Sequence, residues 1–157
     1  MKIKLIAIGK TDNSALQALI EDYMKRLSFY IKFELEIIAD IKKVKNLSEA
    51  QQKEKEGELI LTKISPIDHL VLLDENGKSF SSVSFSEELQ KKMNAGIKTL
   101  VFVIGGPYGF SDQVYAKANG KIALSQMTFS HQMVRLFFIE QVYRGFTILK
   151  NELYHHQ

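Results

Sequence analysis

The stretch TLVFVIGGPYG, residues 99–109, runs from an apolar, β-branched segment directly into a glycine-rich loop. A short, continuous apolar run of this kind predicts a strand that is covered on both faces. The stretch HLVLLDENGK, residues 69–78, follows the same plan, with a predicted buried strand at 69–73 and a predicted turn at 74–78. Because ligands of open α/β sheets bind beyond the carboxyl ends of strands, Leu73 and Ile104 mark the expected ligand site.

Strand and helix patterns alternate along the rest of the chain. Further strands are predicted at residues 2–8, 32–38 and 121–125, and the alternation in the second of these places Phe33, Leu35 and Ile37 on its inner face. Helices are predicted at residues 13–28, from the capping box at Ser48 to a point before Pro66, at 84–93, after Ser111, and at about 130–149. This pattern predicts one α/β domain over residues 1–157, with a mostly parallel sheet of about five to six strands and helices on both faces.

Composition narrows the chemistry. The 157-residue chain has no cysteine and His155-His156 lacks the spacing of a metal motif, so we expect no metal. There is no signal-peptide pattern and no run of about 18 apolar residues, which predicts a cytoplasmic protein with no membrane partner. The formal net charge of +3, to which the short basic loop of Lys42, Lys43 and Lys45 contributes, permits a polyanionic partner.

Several common catalytic motifs are missing. No strand is followed by G-x-G-x-x-G, which disfavours a nicotinamide-dependent dehydrogenase. The phosphate-binding P-loop, the G-x-S-x-G nucleophile elbow and the zinc-binding H-E-x-x-H motif are also missing. The expected ligand site must therefore serve another chemistry.

The last predicted helix is apolar around most of its circumference. Such a helix is buried on several sides, so we expect a second surface to cover it, most simply the partner chain of a homodimer. On this helix His131 and Arg135 share a face, and Glu140 and Arg144 are spaced to pair. Arg135 and Arg144 lie nine positions apart and should point to opposite sides, in different environments.

Four segments, taken together, resemble a known family. They are LDENGK at 73–78, IGGPYG at 104–109, LSQMTF at 124–129, and HQMVR at 131–135 leading into IEQVYR at 139–144, with Tyr154 and His155 close to the chain end. In this order and spacing they look like the ribosomal RNA large subunit methyltransferase H family, which belongs to the SPOUT methyltransferases. The likeness extends from end to end.

The resemblance implies a fold, a cofactor and a substrate. The fold would be an α/β sheet with a trefoil knot near the C-terminus. The cofactor would be S-adenosylmethionine, bound by these residues: Leu73, Gly105, Leu124, Ser125, Gln126, Met127, Thr128 and Phe129. The partner would be 23S ribosomal RNA, methylated at ring nitrogen three of a pseudouridine in the stem-loop called helix 69, in the ribosome or large subunit.

The residues near the C-terminus suit such a reaction. We expect catalytic roles for Arg135, Arg144 and His155, because guanidinium groups bind phosphate or stabilise developing negative charge. Substrate contacts are expected from the same three residues together with His131, Tyr143 and Tyr154, where a tyrosine ring can stack on a base. A general base would help a neutral imide nitrogen to react, and His155, His131 and Glu140 are all candidates.

Three alternative functions remain open at this stage. A non-catalytic ribosome-binding factor would share the basic residues but would not need a slot at 124–129. Another nucleotide-binding α/β enzyme, such as a dehydrogenase, is disfavoured by the missing phosphate motif. A methyltransferase of the same class with a different RNA target is the third alternative.

Overall fold

A computed structural model describes residues 1–41 and 46–156; the predicted basic loop of Lys42, Lys43 and Lys45 lies outside the described residues. The strands in the described part are β1 (Lys2–Ile8), β2 (Lys32–Ile38), β3 (His69–Ser79), β4 (Thr99–Ile104) and β5 (Gly120–Ala123). The helices are α1 (Ser14–Leu27), α2 (Glu49–Leu61), α3 (Ser82–Asn94), α4 (Asp112–Lys117) and α5 (His131–Leu149).

The strands form one parallel sheet in the order β2-β1-β4-β3-β5, which confirms the predicted fold class. Side chains of α1, α3 and α5 form a core with one face of the sheet, and side chains of α2 and α4 form a second core on the other face. β4 is covered on both faces, as its apolar run predicts: Leu100 and Phe102 join the first core, while Val101 and Val103 join the second.

The prediction that the strand ends at Leu73 is wrong, because β3 resumes its pairing after the turn at residues 74–78. β3 continues to Ser79, and both Leu73 and Lys78 are aligned with Ile122 of β5, so the residues between them bulge out of the pairing. The backbone N–H of Asn76 donates to Asp74 Oδ1 at 2.8 Å, which is the local turn chemistry the sequence predicted. A Cβ at Gly77 would lie 2.6 Å from the Ile122 backbone, so only glycine permits this close approach.

Two smaller predictions are corrected at the sheet edges. β5 ends at Ala123 instead of reaching Ser125, which leaves residues 124–129 free to form a loop. Ile37 is exposed although Phe33 and Leu35 on the same face of β2 are half-buried. β2 is an edge strand, and the first core packs against Phe33 and Leu35 but does not extend to Ile37. Ile38 is buried in the second core, on the opposite face.

The apolar circumference of α5 is explained largely within the chain. α5 packs against α1 on one side and α3 on the other, and its Phe138, Ile139 and Val142 are fully buried over the sheet. Met133 and Phe137 remain partly exposed. The predicted homodimer therefore has less apolar surface to bury than the sequence pattern alone indicated, and it stays a prediction.

Candidate active site

A cleft of about 770 Å³ opens at the carboxyl ends of β3 and β4, where Leu73 and Ile104 predicted a ligand site. We call it the large cleft. Seven of the eight residues predicted to bind a cofactor line it: Leu73, Gly105, Leu124, Ser125, Met127, Thr128 and Phe129. Gln126, the eighth, is exposed and is not part of the lining. His131, at the start of α5, also borders the cleft.

Polar residues outside the predicted cofactor set also line the large cleft. Asp74 and Glu75 follow Leu73 directly, so their position after a buried strand was a usable signal. Glu49 and Lys53 come from the first turns of α2, and no local pattern connects them to this edge of the sheet. The lining therefore combines apolar walls with a mainly acidic rim.

One acidic side chain of the rim is held in place by a tyrosine. The Tyr115 hydroxyl donates to Asp74 Oδ2 at 2.5 Å, and Lys121 Nζ lies 5.3 Å from the centre of the Tyr115 ring. Burial, followed by the hydrogen bond to Asp74, raises the pKa of Tyr115 to about 12. Asp74 thus has a fixed orientation at the mouth of the cleft.

The glycine-rich loop is supported from behind by a buried carboxyl group. A Cβ at Gly106 would lie 2.0 Å from Glu56 Oε2, so a larger residue at this position would require the buried Glu56 side chain to move. Glu56 is 3% exposed; its Oε1 accepts from Gln52 Nε2 at 2.8 Å, while Oε2 has no hydrogen-bond partner among the described residues. Burial raises the pKa of Glu56, which favours its neutral form beside the loop.

Arg135 faces the protein interior and does not reach the large cleft. Its side chain is 1% exposed, and its guanidinium donates to Thr11 Oγ1 at 2.8 Å and to the Ile8 carbonyl at 2.7 Å. These contacts join α5 to the carboxyl end of β1. The expectation that Arg135 contacts RNA phosphate directly is therefore not met in this structure, because the group is already engaged and out of reach.

The other predicted catalytic and substrate residues, apart from His131 beside the large cleft, meet in the second half of α5 and the segment that follows it. We call Glu140, Arg144, Tyr154 and His155 the tail cluster. Glu140 Oε1 accepts from Arg144 Nε at 3.0 Å and from the Tyr154 hydroxyl at 2.9 Å, which confirms the predicted i, i+4 pair. Arg144 Nη1 lies 3.3 Å from His155 Nδ1, and its guanidinium carbon lies 4.7 Å from the Tyr154 ring centre.

Tyrosine packing fixes the tail cluster to the body of the protein. Tyr143 meets Tyr154 edge to face, with ring centres 4.7 Å apart. The hydroxyl groups of Tyr23 on α1 and Tyr154 are 3.0 Å apart. Burial and hydrogen bonds to Tyr23 and Glu140 raise the pKa of Tyr154, so this phenol stays protonated near neutral pH.

The large cleft fits S-adenosylmethionine by its chemistry. Leu73, Ile104, Leu124 and Val134 provide apolar wall for an adenine ring, and Ser125 and Thr128 bring polar atoms beside it. The acidic rim suits a ligand that carries a sulfonium charge. No group of three or more metal-binding side chains occurs within residues 1–41 and 46–156, and no helix there is long and apolar enough to cross a membrane.

The fold and the cleft together define an α/β protein with a candidate ligand site at the strand ends and a polar cluster along the second half of its last helix. The sequence model for predicted SPOUT methyltransferases matches residues 1–155. The chain is 83% identical to the ribosomal RNA large subunit methyltransferase H of Flavobacterium psychrophilum, over the whole of both chains. Proteins of the same name from Flavobacterium johnsoniae and Parabacteroides distasonis are 80% and 64% identical, again over their full lengths.

The chain therefore belongs to the SPOUT methyltransferases and, within them, to the ribosomal RNA large subunit methyltransferase H family. This family implies the knotted α/β fold, of which the parallel sheet and its covering helices are seen here. The trefoil knot itself stays a prediction.

Proposed function

We propose that this protein transfers a methyl group from S-adenosylmethionine to large-subunit ribosomal RNA, and that the acceptor is ring nitrogen three of a pseudouridine in helix 69 of 23S rRNA. The observation that carries the proposal is the large cleft, which brings together residues from three segments that are far apart in sequence. The names of the relatives support the RNA substrate. The cytoplasm, where ribosomes are modified, is the proposed location.

Cofactor binding is assigned to the walls of the large cleft. Leu73, Gly105 and the loop at 124–129 hold S-adenosylmethionine, and Phe110 limits the space behind Gly105, since a Cβ there would lie 3.1 Å from its ring. When bound there, the cofactor would supply an electrophilic methyl group, so that an N–C bond could form as the C–S bond breaks, with S-adenosylhomocysteine as the leaving group and the ring-nitrogen proton passing to a base. The residues of the protein orient the acceptor and exclude water, which supplies large rate factors without a metal.

The tail cluster is the proposed substrate-binding and catalytic end of the site. Arg144 stabilises negative charge on an acceptor that has lost its proton or binds an RNA phosphate, and His155 beside it accepts a proton or donates to phosphate. Tyr143 and Tyr154 contribute ring surface, and His131 contacts substrate from the cleft side. Arg135 acts indirectly, by positioning α5 through Ile8 and Thr11.

The direct test uses purified ribosomes and the tritium-labelled cofactor, followed by mapping of the modified nucleotide. We expect label in assembled ribosomes or large subunits and little in a naked stem-loop, because one small domain of net charge +3 offers limited surface for reading RNA. Label at another nucleotide would assign a different target. Binding to ribosomes with neither cofactor binding nor methyl transfer would favour a non-catalytic ribosome-binding factor.

The cofactor site is tested by Thr128→Trp, which places a large ring into the large cleft from an exposed loop position. We expect cofactor affinity, measured by calorimetry, to fall by about 100-fold or more, because the ring occupies the volume the ligand needs. Gln113→Trp, at an exposed position of α4 outside the cleft lining, is the matched control. Unchanged affinity in Thr128→Trp would place the cofactor elsewhere.

A further inference from the structure

A second cavity of about 220 Å³ lies against the large cleft. We call it the aromatic pocket. It shares Ile122, Leu124 and Phe129 with the large cleft, so one wall separates the two. Its other lining residues are three phenylalanines, two small residues and two polar residues: Phe80, Phe85, Phe137, Ser81, Ala123, Glu140 and Gln141. The large cleft has room for a larger ligand, and the aromatic pocket beside it has room for a smaller, flat one.

Four of the residues that line the pocket are phenylalanines: Phe80, Phe85, Phe129 and Phe137. Phe129 and Phe137 lie with their ring centres 5.1 Å apart and their planes inclined by 58°. Phe137 is 38% exposed, although it belongs to a helix whose neighbouring Phe138 is completely buried. An unstacked nucleic-acid base regains its lost stacking energy on aromatic surface of this kind.

The polar end of the pocket is arranged before any ligand binds. Gln141 Oε1 accepts from Ser82 Oγ at 2.8 Å, and Gln141 Nε2 donates to Glu140 Oε2 at 2.8 Å. The other oxygen of Glu140 accepts from Arg144 and Tyr154. The pocket therefore lies between the large cleft on one side and the tail cluster on the other.

We propose that the aromatic pocket receives the target pyrimidine after it has flipped out of its RNA stem-loop, with Phe137 as the stacking surface and Gln141 as the group that orients the polar edge of the ring. This proposal rests on the proposed function and names the place where its substrate binds. Enzymes that modify a base must take it out of the stack, and the base must then lie beside the methyl donor. The aromatic pocket adjoins the proposed cofactor site, so a flipped base bound in it would lie beside the methyl donor. Its volume of about 220 Å³ is too small for the cofactor itself.

The test compares Phe137→Ala with Phe137→Tyr in methylation of ribosomes. We expect Phe137→Ala to lower kcat/KM for ribosomes roughly 10-fold through lost stacking, and Phe137→Tyr to restore most of it. Affinity for S-adenosylmethionine and oligomeric mass should stay at wild-type values in both. Phe29→Ala, which truncates a phenylalanine that is 82% exposed and lies outside the pocket lining, is the matched control and should behave as wild type.

A photo-crosslink gives an independent measurement that does not depend on truncating a side chain. Benzoylphenylalanine in place of Phe137 should crosslink to the methylated nucleotide, which a stop in primer extension would locate. Wild-type turnover in Phe137→Ala, or a matching loss of cofactor affinity, would overturn the proposal, as would a crosslink formed only with a second protein chain. Failure of the proposed function is distinguishable, because wild-type protein would then leave ribosomes unlabelled.

Discussion

At the scale of single residues, the site depends on side chains whose orientation is set by a second side chain. Asp74 at the mouth of the large cleft is held by Tyr115, and Glu140 in the tail cluster is held by Arg144, Tyr154 and Gln141. A group that is held in this way loses less freedom when a ligand binds, which favours affinity and rate. Arg135 is held inside the fold, where Nη1 donates to Thr11 and Nη2 to the Ile8 carbonyl, while its buried Nε has no hydrogen-bond partner among the described residues.

The raised pKa of Tyr115 predicts a loss of stability in alkali. The folded-state pKa of about 12 lies above the ordinary value of about 10, so the neutral phenol stabilises the fold fully below about pH 10 and this contribution is lost as pH rises towards 12. Tyr115→Phe should therefore make the unfolding free energy less dependent on pH in this window. Urea unfolding at a series of pH values between about 9 and 12 measures this pH dependence in the wild type and in Tyr115→Phe. Tyr108→Phe, in the same cleft, is the control. An unchanged alkaline slope in Tyr115→Phe would contradict the assignment.

At the scale of elements, α5 connects the parts of the site. It begins beside the large cleft at His131, contributes Phe137 and Glu140 to the aromatic pocket, and reaches the tail cluster at Arg144. Its N-terminal half is joined to β1 by the hydrogen bonds of Arg135, and its flanks pack on α1 and α3. A small displacement of this helix would therefore change all three sites together.

Arg135→Ala is expected to destabilise the protein by about 2–4 kcal/mol, because it opens a cavity and leaves the Ile8 carbonyl and Thr11 hydroxyl without their donor. Arg144→Ala, at a half-buried position, should cost less stability but lower methyl transfer more strongly than cofactor affinity. Urea unfolding and labelled-ribosome assays on both variants check this division of roles. Equal stability of Arg135→Ala and wild type would refute the positioning role.

At the scale of the whole molecule, the sheet order places the carboxyl ends of β4, β3 and β5 next to one another, and the site forms there. The helices on both faces leave this edge open. On the surface, Met133 and Leu153 remain as exposed apolar side chains that a partner chain would cover in the predicted homodimer.

The homodimer is expected to give twice the chain mass by light scattering at micromolar concentration, with no dependence on the presence of RNA. If each site draws on both chains, mixing Thr128→Trp with Arg144→Ala should partly restore methyl transfer, since some heterodimers keep one intact cleft and one intact tail cluster. A monomeric mass under these conditions would remove the predicted dimer. A dimer without restored activity would place each complete site within one chain.

The sequence by itself determined the buried strands, the glycine-rich loop after β4 and the capped start of α2 at Ser48. These follow from local periodicity and from backbone chemistry, which act over a few residues. The predicted cofactor residues came instead from the resemblance of four motifs to a known family. Only the tertiary structure decided that β3 continues past Asp74, that Arg135 is buried against Ile8, and that Tyr154 returns to Glu140. The physical reason is that desolvation and long-range hydrogen bonds depend on which elements pack together, and no local pattern records that partner.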